Sequence, residues 1–119
     1  MQPDSIIELT EALRVFAKER DWDQFHSVKN LLLALTGEVG ELVEIFQWLD
    51  EEQIEQLGHV ERQNVQKELA DIFLYLLRLA DKLDVDLRDA ALKKLESNAQ
   101  KYPIGLAKGN AVKYNKRTK

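Results

Sequence analysis

Two pairs of acidic residues, Glu38 with Glu41 and Glu68 with Asp71, sit in stretches otherwise rich in Leu, Val, Ile and Ala. Each pair is spaced i, i+3, so in a helix its two carboxylates share one face. With Glu38 set at zero, Leu31 falls at about 20°, Ile45 at about −20°, Leu42 at about 40° and Ala34 at about −40° around the helix. Glu38 therefore lies in the middle of an apolar stripe, with Glu41 and Trp48 on its shoulder. The pattern repeats around Glu68, which Val65, Ile72, Tyr75 and Leu79 surround, with Asp71 on the shoulder. An ionised carboxylate among leucines is costly unless it is paired or binds a cation. Four carboxylates facing one another suit a hard divalent cation, and Mg²⁺ is the usual one that also bridges phosphates. A solvated acidic face is the competing reading of any charge run, and it fits best for Glu44, at about −120° on the polar edge. A di-iron bundle would need Glu-x-x-His on two helices, and neither Glu41 nor Asp71 is a histidine.

The elements that must carry these groups can be read from caps and periodicity. Only two prolines occur, Pro3 and Pro103, and the residues between them are rich in Leu, Ala, Glu and Lys without strand-like alternation. The expected class is all-α. Ser5, with Glu8 three residues on, predicts the start of a first helix that runs to about Arg20 and faces the core with Ile6, Leu9, Leu13, Phe16 and Ala17. The polar stretch Asp21 to Asn30 reads as a connection, with Ser27 capping a second helix from Val28 to Leu49. Residues Asp50 to His59 suit a turn or a short helical piece. A third helix is expected from Val60 to Leu83, and Asp86 caps a fourth from Leu87 to Lys101, which Tyr102 and Pro103 end. A short connection makes the second and third helices antiparallel, which puts Glu41 and Glu68 each roughly 12 Å from the turn and opposite one another. Beyond Pro103 the apolar pattern stops, so residues 1–103 form the domain and residues 104–119 an extended basic arm.

Composition narrows the chemistry. At 119 residues the chain is one domain of a size that commonly gains stability by self-association. Cysteine is absent, which removes disulfides, thiolate ligands and a thiol nucleophile. No signal-peptide pattern and no apolar run of membrane-spanning length occurs, so a cytoplasmic protein without a membrane partner is expected. The last 23 residues hold six basic and no acidic side chains, while the rest hold 11 basic and 21 acidic ones. An acidic body argues against nucleic-acid binding.

The segments Glu38-Val-Gly-Glu41-Leu and Glu68-Leu-Ala-Asp71 resemble the paired E-x-x-E and E-x-x-D motifs of the MazG-like all-alpha nucleotide pyrophosphatases. Arg20-Asp21-Trp22, Gln24-Phe25-His26, Asn30 through Leu35, Phe46-Gln47-Trp48, and Asn98 with Lys101-Tyr102-Pro103 are similar to the dCTP pyrophosphatase branch, so the likeness spans about residues 8 to 103. The resemblance implies a four-helix bundle-like MazG fold that assembles into homodimers or homotetramers. It implies Mg²⁺-dependent hydrolysis, with Mn²⁺ as a substitute, of a (deoxy)nucleoside triphosphate, dCTP among the candidates, to the monophosphate and pyrophosphate. Glu38, Glu41, Glu68 and Asp71 would be the metal-holding and catalytic acids. Trp22, His26, Asn30, Trp48 and Tyr75 match positions that contact base or sugar, and Asn98, Lys101 and Tyr102 match positions near the phosphates or sugar. Where dCTP-preferring relatives carry a histidine in the first helix this chain has Leu13, which leaves the base preference open. Core packing is the bland alternative for Trp22, Trp48 and Tyr75, and surface placement for His26. For the tail lysines Lys108, Lys113 and Lys116, plain solvation stands against closure over a triphosphate. The rival function is a non-catalytic helical module that binds a nucleotide or only oligomerises.

Overall fold

The computed structural model describes residues 5–117, and among them there are helices and turns but no strands. Pro3 and the last two residues of the arm lie outside the described residues. The chain divides into two compact units, Met1–Val85 and Asp86–Lys119.

In the first unit, α1 spans Ile6–Glu19, α2 Val28–Phe46, α3 Glu51–Glu55 and α4 His59–Lys82. The first three start at side-chain caps, where Ser5 Oγ accepts from Glu8 N at 3.1 Å, Ser27 Oγ from Asn30 N at 3.1 Å, and Asp50 from Gln53 N at 2.8 Å, while α4 starts at Gly58 without one. At Asp50 the Gln53 side chain also accepts the cap's own N–H, which closes a reciprocal box. This box explains why α2 ends at Phe46 rather than at the expected Leu49. The backbone that would have continued α2 is committed to starting α3.

Two helices end alike. After α1, Asp21 takes φ 54°, with Asp21 N–H donating to Lys18 O and Trp22 N–H to Ala17 O. After α4, Asp84 takes φ 56°, with Asp84 N–H donating to Asp81 O and Val85 N–H to Ala80 O. This is the Schellman closure, which normally uses glycine at the left-handed position. Aspartate tolerates that region better than most residues. The first closure turns the chain sharply and sets Trp22 directly beyond α1.

Helix α4 packs against both α2 and α1. Glu38 interacts with Glu68 near the middle of both helices, while His26, just ahead of α2, meets Arg78 near the end of α4, so α2 and α4 run antiparallel as expected. Among the described residues the buried apolar side chains are few: Ala17, Leu31, Leu77 and Ala80. Of the expected α1 core face, Ala17 is buried, Ile6, Leu9 and Leu13 are partly buried, and Phe16 stays exposed. An ionic brace joins α1 to α4, with Arg14 Nε donating to Asp81 Oδ2 at 2.8 Å.

In the second unit, α5 spans Leu87–Lys101 with Asp86 as its cap, and α6 is a single turn at Ile104–Ala107. The arm expected to be extended is therefore partly helical. Leu106 and Ala107 donate to Pro103 O, a 3₁₀ turn forms at Tyr114–Lys116, and Arg117 Nη2 folds back to Lys101 O at 2.7 Å.

Candidate active site

The acidic pairs meet where α2 and α4 cross. Carboxylate oxygens of Glu38, Glu41 and Glu68 lie within 4.8 Å of one another. Glu38 and Glu68 are partly buried and Glu41 is exposed, which follows their wheel positions in the stripe and on its shoulder. Asp71 is not within that tight trio, yet it lines the adjoining cavity with Glu38 and acts on the Glu38 carboxyl through its charge.

The electrostatics match this crowding. The Glu38 carboxyl is pushed up to about 7 by the neighbouring Glu68 carboxyl, then by burial, and by Glu41 and Asp71. One oxygen each of Glu38 and Glu68, Oε2, is buried without a hydrogen-bond partner. Buried acceptors without a donor are rare in native proteins. An all-oxygen set with two such orphans fits a hard divalent cation and does not fit the nitrogen and sulfur preferences of zinc.

A cavity of about 340 Å³ opens against this cluster, a volume within the range of small-molecule pockets. Its walls come from α1 through Leu13, Phe16 and Ala17, from the connection through Trp22 and His26, and from α4 through Leu74, Tyr75 and Arg78. Trp22 meets Phe16 edge-on at 5.6 Å and His26 at 6.2 Å between ring centroids. The His26 ring is driven towards its neutral form by burial and then by the Arg78 charge.

Of the sequence-predicted residues, Glu38, Asp71, Trp22, His26 and Tyr75 line this cavity, and Glu41 and Glu68 join it through Glu38. Asn30 stands outside the lining. Its Nδ2 donates to Phe25 O at 3.1 Å and braces the 3₁₀ turn Asp23–Phe25 that leads into His26. Trp48, just beyond α2, is 85% exposed and not part of the cavity. Asn98, Lys101 and Tyr102 belong to the second unit. There Tyr102 stacks edge-on against Tyr114 at 6.0 Å, its hydroxyl accepts from Tyr114 N, and Lys101 Nζ lies 5.0 Å from the Tyr114 ring centre.

Residues 33–116 match the model of the MazG-like family. The chain belongs to that family. It is 50% identical over 101 residues to dCTP pyrophosphatase 1 of Bos taurus, covering 83% of this chain and 60% of that one. Identity to the Homo sapiens dCTP pyrophosphatase 1 is 48% over the same length, covering 83% and 59% respectively. This MazG-like chain thus spans about 60% of the length of those curated relatives. Among solved structures, a pyrophosphatase from Archaeoglobus fulgidus superposes with a TM-score of 0.78 at 35% identity, covering 87% of this chain and 96% of that one.

One charged residue of the cavity escaped the sequence reading. Arg78 is 5% exposed, and it donates through Nε to His26 Nδ1 at 3.2 Å, through Nη1 to Asp81 at 3.3 Å and through Nη2 to Asp23. The signal was available, because Tyr75-Leu-Leu-Arg78-Leu-Ala sets a full charge inside an apolar run as Glu38 and Glu68 are set. No helix among the described residues is long and apolar enough to cross a membrane.

Proposed function

We propose that this MazG-like chain is a Mg²⁺-dependent pyrophosphatase that hydrolyses a nucleoside triphosphate, dCTP foremost among the candidates, to the monophosphate and pyrophosphate. The observation that carries the reading is the pair of buried, unpartnered oxygens on Glu38 and Glu68 beside a cavity walled by Trp22 and Tyr75. Charge-binding and base-binding surfaces adjoin at one place. The activities for which the relatives are named agree with it.

In this reading Glu38, Glu41, Glu68 and Asp71 hold the cation, which when bound supplies positive charge to phosphate oxygens and acidifies water. Glu41 and Asp71, on the exposed shoulders, are the acids that reach a triphosphate from the open side. Trp22 and Tyr75 clamp the base, and Leu13 and Phe16 exclude water beside it. One of the acids, or Glu44, takes the proton of the attacking water. Apolar side chains left open on α2, among them Leu33 at 60% and Val43 at 54% exposure, support assembly into dimers or tetramers.

The test is a panel of nucleoside triphosphates with and without Mg²⁺, read by pyrophosphate release. Pyrophosphate in equal amount to monophosphate is expected, and its loss to background in Glu38→Ala and Glu68→Ala. Orthophosphate in place of pyrophosphate, or full activity in either variant, rejects the assignment.

A further inference from the structure

The 3₁₀ turn Asp23–Phe25 and the end of α4 are joined by one buried side chain. Arg78 reaches Asp23 at the start of the turn and His26 just after it. The His26 backbone N–H closes the turn on Asp23 O at 3.2 Å. Arg78 cannot swing away freely, because its third contact, Asp81, is itself held by Arg14 from α1. Four side chains from three segments therefore fix one imidazole ring.

That ring's protonation follows from its partner. Guanidinium Nε always carries a proton and never accepts, so the atom 3.2 Å away must offer a lone pair. His26 Nδ1 is consequently bare. A doubly protonated ring would point an N–H at a cation. The remaining proton then sits on Nε2, which has no hydrogen-bond partner among the described residues. The α1 wall of the cavity offers no polar group of its own, since Leu13, Phe16 and Ala17 form it.

We propose that Arg78 is a positioning residue that fixes His26 as the Nε2–H tautomer, so that the ring presents a hydrogen-bond donor to a carbonyl oxygen or pyridine-type nitrogen of the substrate's base. This rests on the nucleotide reading above and deepens it. Cytosine offers two adjacent acceptors of this kind, O2 and N3, whereas uracil and thymine place an N–H at N3.

The direct test is a multiple-bond ¹⁵N–¹H spectrum of the full chain, which contains two histidines, with His59→Gln to assign the signals. A pyridine-like Nδ1 and a pyrrole-like Nε2 are expected for His26, and a tautomer mixture in Arg78→Met. A protonated Nδ1 in the unmodified protein overturns the proposal, and that spectrum needs no variant to fold. Kinetics give the second arm. Arg78→Met and His26→Phe should raise KM for dCTP by about tenfold, with the effect on KM rather than kcat. Arg78→Gln and His26→Gln, which keep an N–H donor, should recover most of it. A loss confined to kcat, or no rescue by either glutamine, overturns the positioning role. Should the unmodified protein cleave no triphosphate, the functional reading fails while the tautomer remains measurable.

Discussion

Replacing Glu38 with glutamine should stabilise the metal-free protein, and it should do so only above a certain pH. The carboxyl sits among Glu68, Glu41 and Asp71 with its proton held up to about 7 against an ordinary 4.5. A folded-state value above the unfolded one means that the folded protein binds more protons between them. Stability is then highest below 4.5, falls as pH rises towards 7, and is level above it. At about 1.4 kcal/mol per tenfold change in proton affinity the whole displacement corresponds to roughly 3 kcal/mol. The cluster is open to solvent on the Glu41 side, so about 1 to 2 kcal/mol is expected after screening. Glutamine keeps the shape and removes the charge. In thermal unfolding with EDTA, at one fixed protein concentration, Glu38→Gln should melt about 4 to 8 °C above the unmodified chain at pH 8, and only about a quarter of that above it at pH 5. Saturating Mg²⁺ should reverse the order at pH 8, because only the unmodified chain keeps the full donor set. A metal-free variant that melts lower at pH 8, or a difference that does not change between pH 5 and 8, would refute the claim that these acids repel one another.

Two further outcomes follow from the packing. Asp84 holds a left-handed backbone, and glycine there relieves the clash of its Cβ, so Asp84→Gly should raise the denaturation free energy by about 1 kcal/mol in urea titration. Hydrogen bonding from Arg14, followed by the nearby Arg14 and Arg78 charges, holds the Asp81 carboxyl below the usual carboxylate range. Its contribution is therefore complete above the unfolded value of 3.8 and disappears as pH falls through the lower folded value. Asp81→Asn should cost roughly 2 to 4 kcal/mol at pH 7, a cost that shrinks as pH is lowered below 3.8, as read by chemical denaturation across that range.

What could be read without coordinates depended on periodicity and caps. Ser5, Ser27 and Asp86 start helices as expected, because an N-cap is a local interaction of one side chain with the next turn. The facing acids were legible for the same reason: a carboxylate in the centre of an apolar stripe needs a tertiary explanation. Trp22, His26 and Tyr75 come to the cavity, while Trp48 stands clear of it within this chain, since a wheel angle gives a direction but not what waits there. A charge inside an apolar run marks Arg78 as unusual, but its partners Asp23 and His26 lie more than fifty positions away, and no local rule names them. The end of α2 moved because the reciprocal box at Asp50 and Gln53 competes for backbone that the apolar pattern alone would extend. The fold-back of Arg117 onto Lys101 and Tyr102 likewise depends on ring and cation contacts, which leave no period in the chain.

The two tryptophans are the chain's whole indole complement, and their settings differ sharply: Trp22 flanks the cavity beside Phe16 and His26, and Trp48 stands almost bare beyond α2. Their emission can thus be separated at the source. A nucleotide entering the cavity would quench the Trp22 component, while association of copies over the α2 end would shift the Trp48 component to the blue. Single Phe replacements at either site would turn the protein into two unlabelled optical sensors, one for ligand and one for assembly.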